Sequence, residues 1–276
     1  NKYKNLTIYV RFLSHNLIYT MWRWPTVAGQ KEASAKAKSK IYNIHSKLIT
    51  IAAEKGSDPS INAALSDAIH SAKREGVTSD VIERAIKRWA GIDKDASKVE
   101  EVYYEWYAPG GVAIIVKALT DNRNRTAPSM RHIFSAFGGS LGETGSVSNF
   151  AFDYEGETHI AKPDDMDAFE MMILDTNAKD YKTEWNEIII ITTRENYMSV
   201  KWAIEKNWYN IISSTIGYRA KNYTEVTEMD NALKIYKMLE EFEADEDVEM
   251  VWNTADISDE LWKEVTEFVQ SKKFRT

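Results

Sequence analysis

An α+β fold is predicted by three features of this chain. Its first third reads as helices with apolar stripes, strand and helix patterns alternate after that, and enough of its 276 residues are hydrophobic (43%) to fill a core. That length suits two or three domains.

The elements follow in order. Residues 31–89 read as helices: Ile41, Ile44, Leu48 and Ile51 form one stripe, Leu65, Ala68, Ile69 and Ala72 a second, and Val81, Ile82, Ala85 and Ile86 a third. Gly56-Ser57-Asp58-Pro59 and Gly76-Val77-Thr78-Ser79 break them, with Ser79 or Thr78 suited to cap the third helix. A polar link over 93–98 precedes a strand at 112–119, a helix at 127–137 and a strand at 147–152. Much later come a helix at 231–242 and a strand at 248–252, and the segments 165–174, 187–192, 197–206 and 223–226 repeat the alternation between. Thr126 is the expected N-cap of the 127–137 helix and Pro128 falls in its first turn, since Met130, Ile133, Phe134 and Phe137 share a helical face. The Gly-rich stretch from Gly138 to Ser146 lacks the Lys of a P-loop and the spacing of a dinucleotide fingerprint, so it is expected to turn the chain from helix to strand.

The junction Leu119-Thr120-Asp121-Asn122-Arg123-Asn124-Arg125-Thr126 puts two arginines where a strand gives way to a helix. A helix start offers unpaired N–H groups and partial positive charge, and guanidinium forks match phosphate, so the junction could hold an anion. The alternative is a capped junction whose arginines pair with the chain's own carboxylates.

This junction belongs to a longer pattern. Over residues 39–152 the chain resembles the YebC family of probable transcriptional regulatory proteins, which includes the mitochondrial translational activator of a cytochrome oxidase subunit. The resemblance rests on Lys40-Ile41-Tyr42, Asp58-Pro59 with Asn62, Glu83-Arg84-Ala85-Ile86-Lys87-Arg88, Tyr104-Glu105, Pro109-Gly110-Gly111, the arginine junction, Arg131-His132, and Phe137-Gly138-Gly139 through Gly142 to Gly145-Ser146-Val147. Farther on it is thinner and rests on element spacing and Val251-Trp252-Asn253-Thr254-Ala255-Asp256.

The resemblance implies an N-terminal helical domain followed by two ferredoxin-like α/β domains, one inserted into the other. The expected parts are a non-native extension or leader at 1–20, a basic helical domain at 21–95, a ferredoxin-like domain at 96–153 plus 224–276, and an inserted one at 154–223. It also implies a non-enzymatic nucleic-acid-binding regulator of gene expression, acting on promoter DNA or on translation through ribosomal RNA and the ribosome. Carried over residue by residue, Lys38, Lys40 and Lys47 occupy basic positions of the first helix, and Arg84, Lys87, Arg88, Arg123, Arg125 and Arg131 match as well. These nine are expected to contact phosphates rather than read bases. Ala37 and Ile44 stand where the family commonly has Lys.

Other departures share one character. Trp89, Trp106 and Trp208 each stand where the family usually has glycine, and so does Trp22 or Trp24. With 12 Gly, about 4% of the chain and below the usual ~7%, and 9 Trp, the composition agrees with a gene in which UGA means glycine but is rendered here as tryptophan. The alternative is real tryptophans filling hydrophobic gaps.

Charge is uneven beneath a net −7. Residues 23–47 carry six basic residues and one acid, whereas 225–264 carry fourteen acids and three lysines. A basic helical domain can meet a phosphate backbone while an acidic region keeps the molecule dispersed. An alternative role is a protein-binding adaptor that docks a basic partner on the acidic C-terminal face. Zero cysteines excludes disulfides, thiol catalysis and Cys-based zinc sites, and the five histidines are too scattered to suggest a local ligand pair. No metal or cofactor is expected. No run approaches the roughly 20 apolar residues of a membrane span, and a cytoplasmic location is expected.

Overall fold

A computed structural model of the chain describes residues 27–89, 98–141, 145–184 and 186–273. The expected leader at 1–20, Trp22, Trp24 and most of the polar link lie outside the described residues.

Three helices come first: α1 (Val27–Ala52), α2 (Ala63–Arg74) and α3 (Ser79–Trp89). They close on Ile49 of α1, on Leu65, Ile69 and Ala72 from the second predicted stripe and on Ile82 and Ala85 from the third. Of the first stripe only Ile41 packs against this core, partly buried, while Ile44, Leu48 and Ile51 face another cluster. Asn62 organises the α1–α2 connection. Its side-chain oxygen caps α2 by accepting from the Leu65 N–H, while its amide donates to the carbonyls of Ala52 and Gly56.

The chain then forms the antiparallel hairpin of β1 (Glu100–Ala108) and β2 (Val112–Thr120), followed by α4 (Arg123–Ala136) and the short β3 (Ser140–Leu141). Gly110 and Gly111 make the hairpin turn with φ of 80° and 78°, a left-handed path that glycine takes without a Cβ clash. α4 starts four residues earlier than expected, and Asn122 caps it in place of Thr126, its side chain accepting from the Arg125 N–H. Pro128 therefore falls in the second turn.

Residues 147–152 are not a strand throughout. A short helix, α5 (Ser148–Ala151), leads into β4 (Phe152–Ala161), and α6 (Met166–Leu174), β5 (Ala178–Glu184), β6 (Glu187–Thr193), α7 (Tyr197–Lys206) and β7 (Ile211–Ala220) follow. This βαββαβ run forms a four-stranded antiparallel sheet in the order β5-β6-β4-β7, the ferredoxin-like arrangement. Its core holds Ile160, Ile188 and Ile190 of the sheet against Phe169, Ile173, Val200 and Ile204 of the helices.

The last elements are β8 (Thr224–Glu225), α8 (Met229–Ala244), β9 (Val248–Asn253), β10 (Ala255–Asp256) and α9 (Asp259–Lys273). β9 returns to the first sheet, whose order is β3-β1-β2-β9. Alternate residues of β2, Val112, Ile114 and Val116, face Met130 and Phe134 of α4 and Met238 and Phe242 of α8. The described residues thus fall into two compact units, one made of those up to 144 with those from 224 onward, the other of 145–223 inserted between them. Within the first unit Ile44 of α1 packs with Val99 and Leu119, which seats the helical domain beside the end of β2. The fold class is α+β, with an N-terminal helical domain and two ferredoxin-like α/β domains, one within the other.

Candidate nucleic-acid interface

The arginine junction is built from its short polar side chains. Thr120 Oγ1 accepts from the Asn122 N–H at 2.9 Å, and Asn122 Oδ1 accepts from the Arg125 N–H at 3.2 Å. Thr126 Oγ1 lies 2.7 Å from Thr120 Oγ1 and 2.7 Å from Asp247 Oδ2, so donating to the carboxylate and accepting from Thr120 satisfies it inside the fold. That inward role explains why Thr126 does not cap the helix.

Asp247, in the α8–β9 connection, is the centre of a charged seam. It is 6% exposed, Lys47 Nζ of α1 is 2.7 Å away, and Arg125 Nη2 is 3.0 and 2.9 Å from its two oxygens. Burial opposes ionisation of Asp247, but the hydrogen bonds from Lys47, Thr126 and Arg125 outweigh it and hold the carboxyl below the usual range. Arg125 also reaches Asp121 at 3.2 Å, and Arg88 from the last turn of α3 reaches the same Asp121 at 3.5 Å. Lys47, Arg88 and Arg125 therefore come together from three helices, around two aspartates.

Two of the nine predicted phosphate ligands do not present their charge as expected. Lys47 is 7% exposed, engaged by Asp247 and by the Glu246 carbonyl at 3.3 Å. Lys40 donates to the carbonyls of Phe242 (3.3 Å) and Glu243 (2.7 Å) in the last turn of α8, where a cation suits the helix dipole. Burial pushes its ammonium down to about 8, with Asp245 partly offsetting the effect. Burying a charge without a partner is prohibitive, which is why both lysines are held against acceptors.

The others face outward to differing degrees. Arg123 is paired with Glu100, its Nε 2.7 Å from the carboxylate, so here the alternative reading of the junction describes the geometry. Arg84 is exposed and donates Nε–H to the Asp80 carbonyl one turn back. Lys87 makes a 3.6 Å surface pair with Glu83. Lys38 is exposed beside the Tyr42 ring at 5.5 Å. Arg131 on α4 is exposed, and no carboxylate lies within ion-pair reach of it among the described residues. Lys36, Lys73 and Arg74 add exposed cations on α1 and at the end of α2. Sequence reasoning missed Asp247, which had counted only as one acid in an acidic run; nothing local in Asp245-Glu246-Asp247 distinguishes the member that turns inward.

His45 lies among the helices with 0% exposure, and neither ring nitrogen has a hydrogen-bond partner among the described residues. Burial, with Arg74 nearby, pushes the imidazole down to about 4, so it is neutral at physiological pH. Among the described residues no group of His, Asp and Glu has metal-holding geometry, and no helix is long and apolar enough to cross a membrane.

This architecture is shared with known proteins. Residues 22–92 match the TACO1/YebC N-terminal domain, and residues 99–255 match the TACO1/YebC second and third domain. A probable transcriptional regulatory protein of Clostridium novyi is 38% identical over 242 residues, covering 87% of this chain and 97% of that protein. Another of that description, from Thermoanaerobacter pseudethanolicus, is 39% identical over 241 residues, covering 86% and 97%. The crystal structure of a conserved hypothetical protein from Aquifex aeolicus superposes with a TM-score of 0.71 at 32% identity, covering 86% of this chain and 97% of that one. The three-helix domain, the paired α/β units and these matches along nearly the whole length of the relatives make the chain a member of the TACO1/YebC family.

Proposed function

We propose that the protein is a nucleic-acid-binding regulator of gene expression that works without catalysis, in the cytoplasm, by gripping phosphates rather than reading bases. The observation that carries this reading is the set of solvent-facing cations on the helical domain, Lys38, Arg84 and Lys87 with Lys36, Lys73 and Arg74, joined by Arg131 on α4. Long, exposed cationic side chains on helices suit an irregular polyanion, and each phosphate they neutralise releases counterions. The names of the relatives, probable transcriptional regulatory proteins, support a regulatory role. The seam of Lys47, Arg88 and Arg125 holds the helical domain to β2 and α4, and so sets the cationic helices in place.

The test replaces Lys38, Arg84, Lys87 and Arg131 with Ala and measures affinity for duplex DNA and for ribosomes across a salt series. On duplex DNA, loss of four phosphate contacts lowers the slope of log K against log salt by about 3 to 4. An unchanged slope and affinity on both targets would remove these residues from the interface. Wild-type binding to ribosomes alone assigns the role to translation, binding to DNA assigns it to transcription, and binding to neither favours an adaptor docking through the acidic C-terminal face.

A further inference from the structure

Among the described residues, Trp208 is the one non-glycine residue with positive φ, at 61°. It follows the end of α7, where its N–H donates to the Glu205 carbonyl (3.0 Å) and the Tyr209 N–H donates to the Ile204 carbonyl (3.3 Å). Those two bonds are the Schellman closure of a helix, and the residue at its left-handed position is usually glycine because a Cβ there meets the backbone. Asn and Asp are tolerated through local hydrogen bonds, whereas an indole gains nothing of that kind. Nor does packing offset the strain, since Trp208 is 93% exposed. The backbone at 208 thus asks for one residue type and the sequence supplies its opposite in size.

A second tryptophan carries a cost of a different kind. Trp106 is 4% exposed, stacked on Phe134 with centroids 4.3 Å apart, and its indole N–H has no partner among the described residues. A buried tryptophan ordinarily finds an acceptor. Beside it, a Cβ built on Gly139 would lie 2.8 Å from the indole. Each of these two tryptophans carries a cost, in a chain with 9 Trp and 12 Gly, and a single reassigned codon would account for both.

We infer that residue 208 of the protein as made in its own cells is glycine, decoded from UGA, and that position 106 is read the same way. The consequence reaches function. An exposed indole on the inserted unit would be a ready platform for base stacking, and with glycine there the nucleic-acid contact rests on the cations of the first unit.

Two measurements decide the matter. The gene and the peptides of protein purified from its source cells are read at both positions: UGA codons with glycine-containing peptides are expected, and a UGG codon or a tryptophan peptide at 208 would overturn the inference. Independently, Trp208→Gly and Trp208→Ala are compared with the chain as written. Glycine removes both the indole and the Cβ strain, whereas alanine keeps the strain. Trp208→Gly should therefore melt about 2–4 °C above Trp208→Ala. Equal melting temperatures would show that the left-handed turn sets no demand for glycine. Neither outcome bears on salt-dependent binding by the helical domain, so this inference and the functional proposal stand or fall separately.

Discussion

Asp247 takes hydrogen bonds from Lys47, Arg125 and Thr126 in a site almost closed to water, so deleting its carboxylate leaves Lys47 buried with no counter-charge. Breaking such a pair costs about 3–5 kcal/mol, because the stranded charge bears its desolvation alone. Asp247→Ala should show that loss in urea unfolding, while Arg123→Ala, which removes an exposed partner of Glu100, should change stability by no more than about 0.5 kcal/mol. A near-neutral Asp247→Ala would mean that the seam does not hold the helical domain. The same residue sets an acid limit. Its pKa is lowered on folding, so its contribution is present above the unfolded value of 3.8 and is lost as pH falls through the folded value; Asp247→Asn should lack that acid-side decline. Lys47 and Arg125 were recognisable from sequence as important cations, but their partner was not, since 122 residues separate Arg125 from Asp247.

At the scale of the element, α4 illustrates how two competent caps compete. Asn122 and Thr126 both have side chains able to accept from a backbone N–H two or three residues on, and each begins a plausible helix. The choice falls to Asn122 because the Thr126 hydroxyl is committed to Thr120 and Asp247, a tertiary fact invisible to local pattern. The earlier start places Arg123 and Arg125 within the first turn of the helix. Asn122→Ala should therefore destabilise the protein by about 1 kcal/mol in urea unfolding, with Asn122→Asp retaining most of it. Equal stability of Asn122→Ala and wild type would show that the cap carries no weight. The helices α2 and α3 were legible because each carries one apolar stripe over successive turns, and α8 was expected at 231–242. Residues 147–152 were not: six residues containing Val147, Phe150 and Phe152 carry β-forming side chains, yet the first of them end in one short helical turn before β4 begins.

For the whole molecule, the decisive feature is how the insertion is closed. Phe152 at the start of β4 is paired with Ala220 at the end of β7, and the Lys221 N–H donates to the Ala151 carbonyl, so the chain enters and leaves the unit at neighbouring points. A domain with adjacent ends and its own core can be spliced into another without disturbing either. Sequence alone placed an alternation of strands and helices here, and the family resemblance supplied its nesting; the pairing of distant strand ends has no local signal. Residues 145–223 expressed alone should therefore unfold cooperatively. They carry a built-in pH response as well, because His159 Nε2 lies 2.6 Å from Glu157 and Nδ1 lies 3.2 Å from Glu187. Burial works against protonating the imidazole, but the two carboxylates outweigh it and raise its pKa above 6.5. A raised folded pKa means that the stabilisation is complete below 6.5 and is lost as pH climbs through the folded value. The isolated unit should accordingly melt at a lower temperature on the alkaline side of that window, and His159→Gln should flatten the step. A melting temperature that does not change with pH from about 6 to 9 in the wild-type unit would show that the imidazolium does not tie β4 to β6.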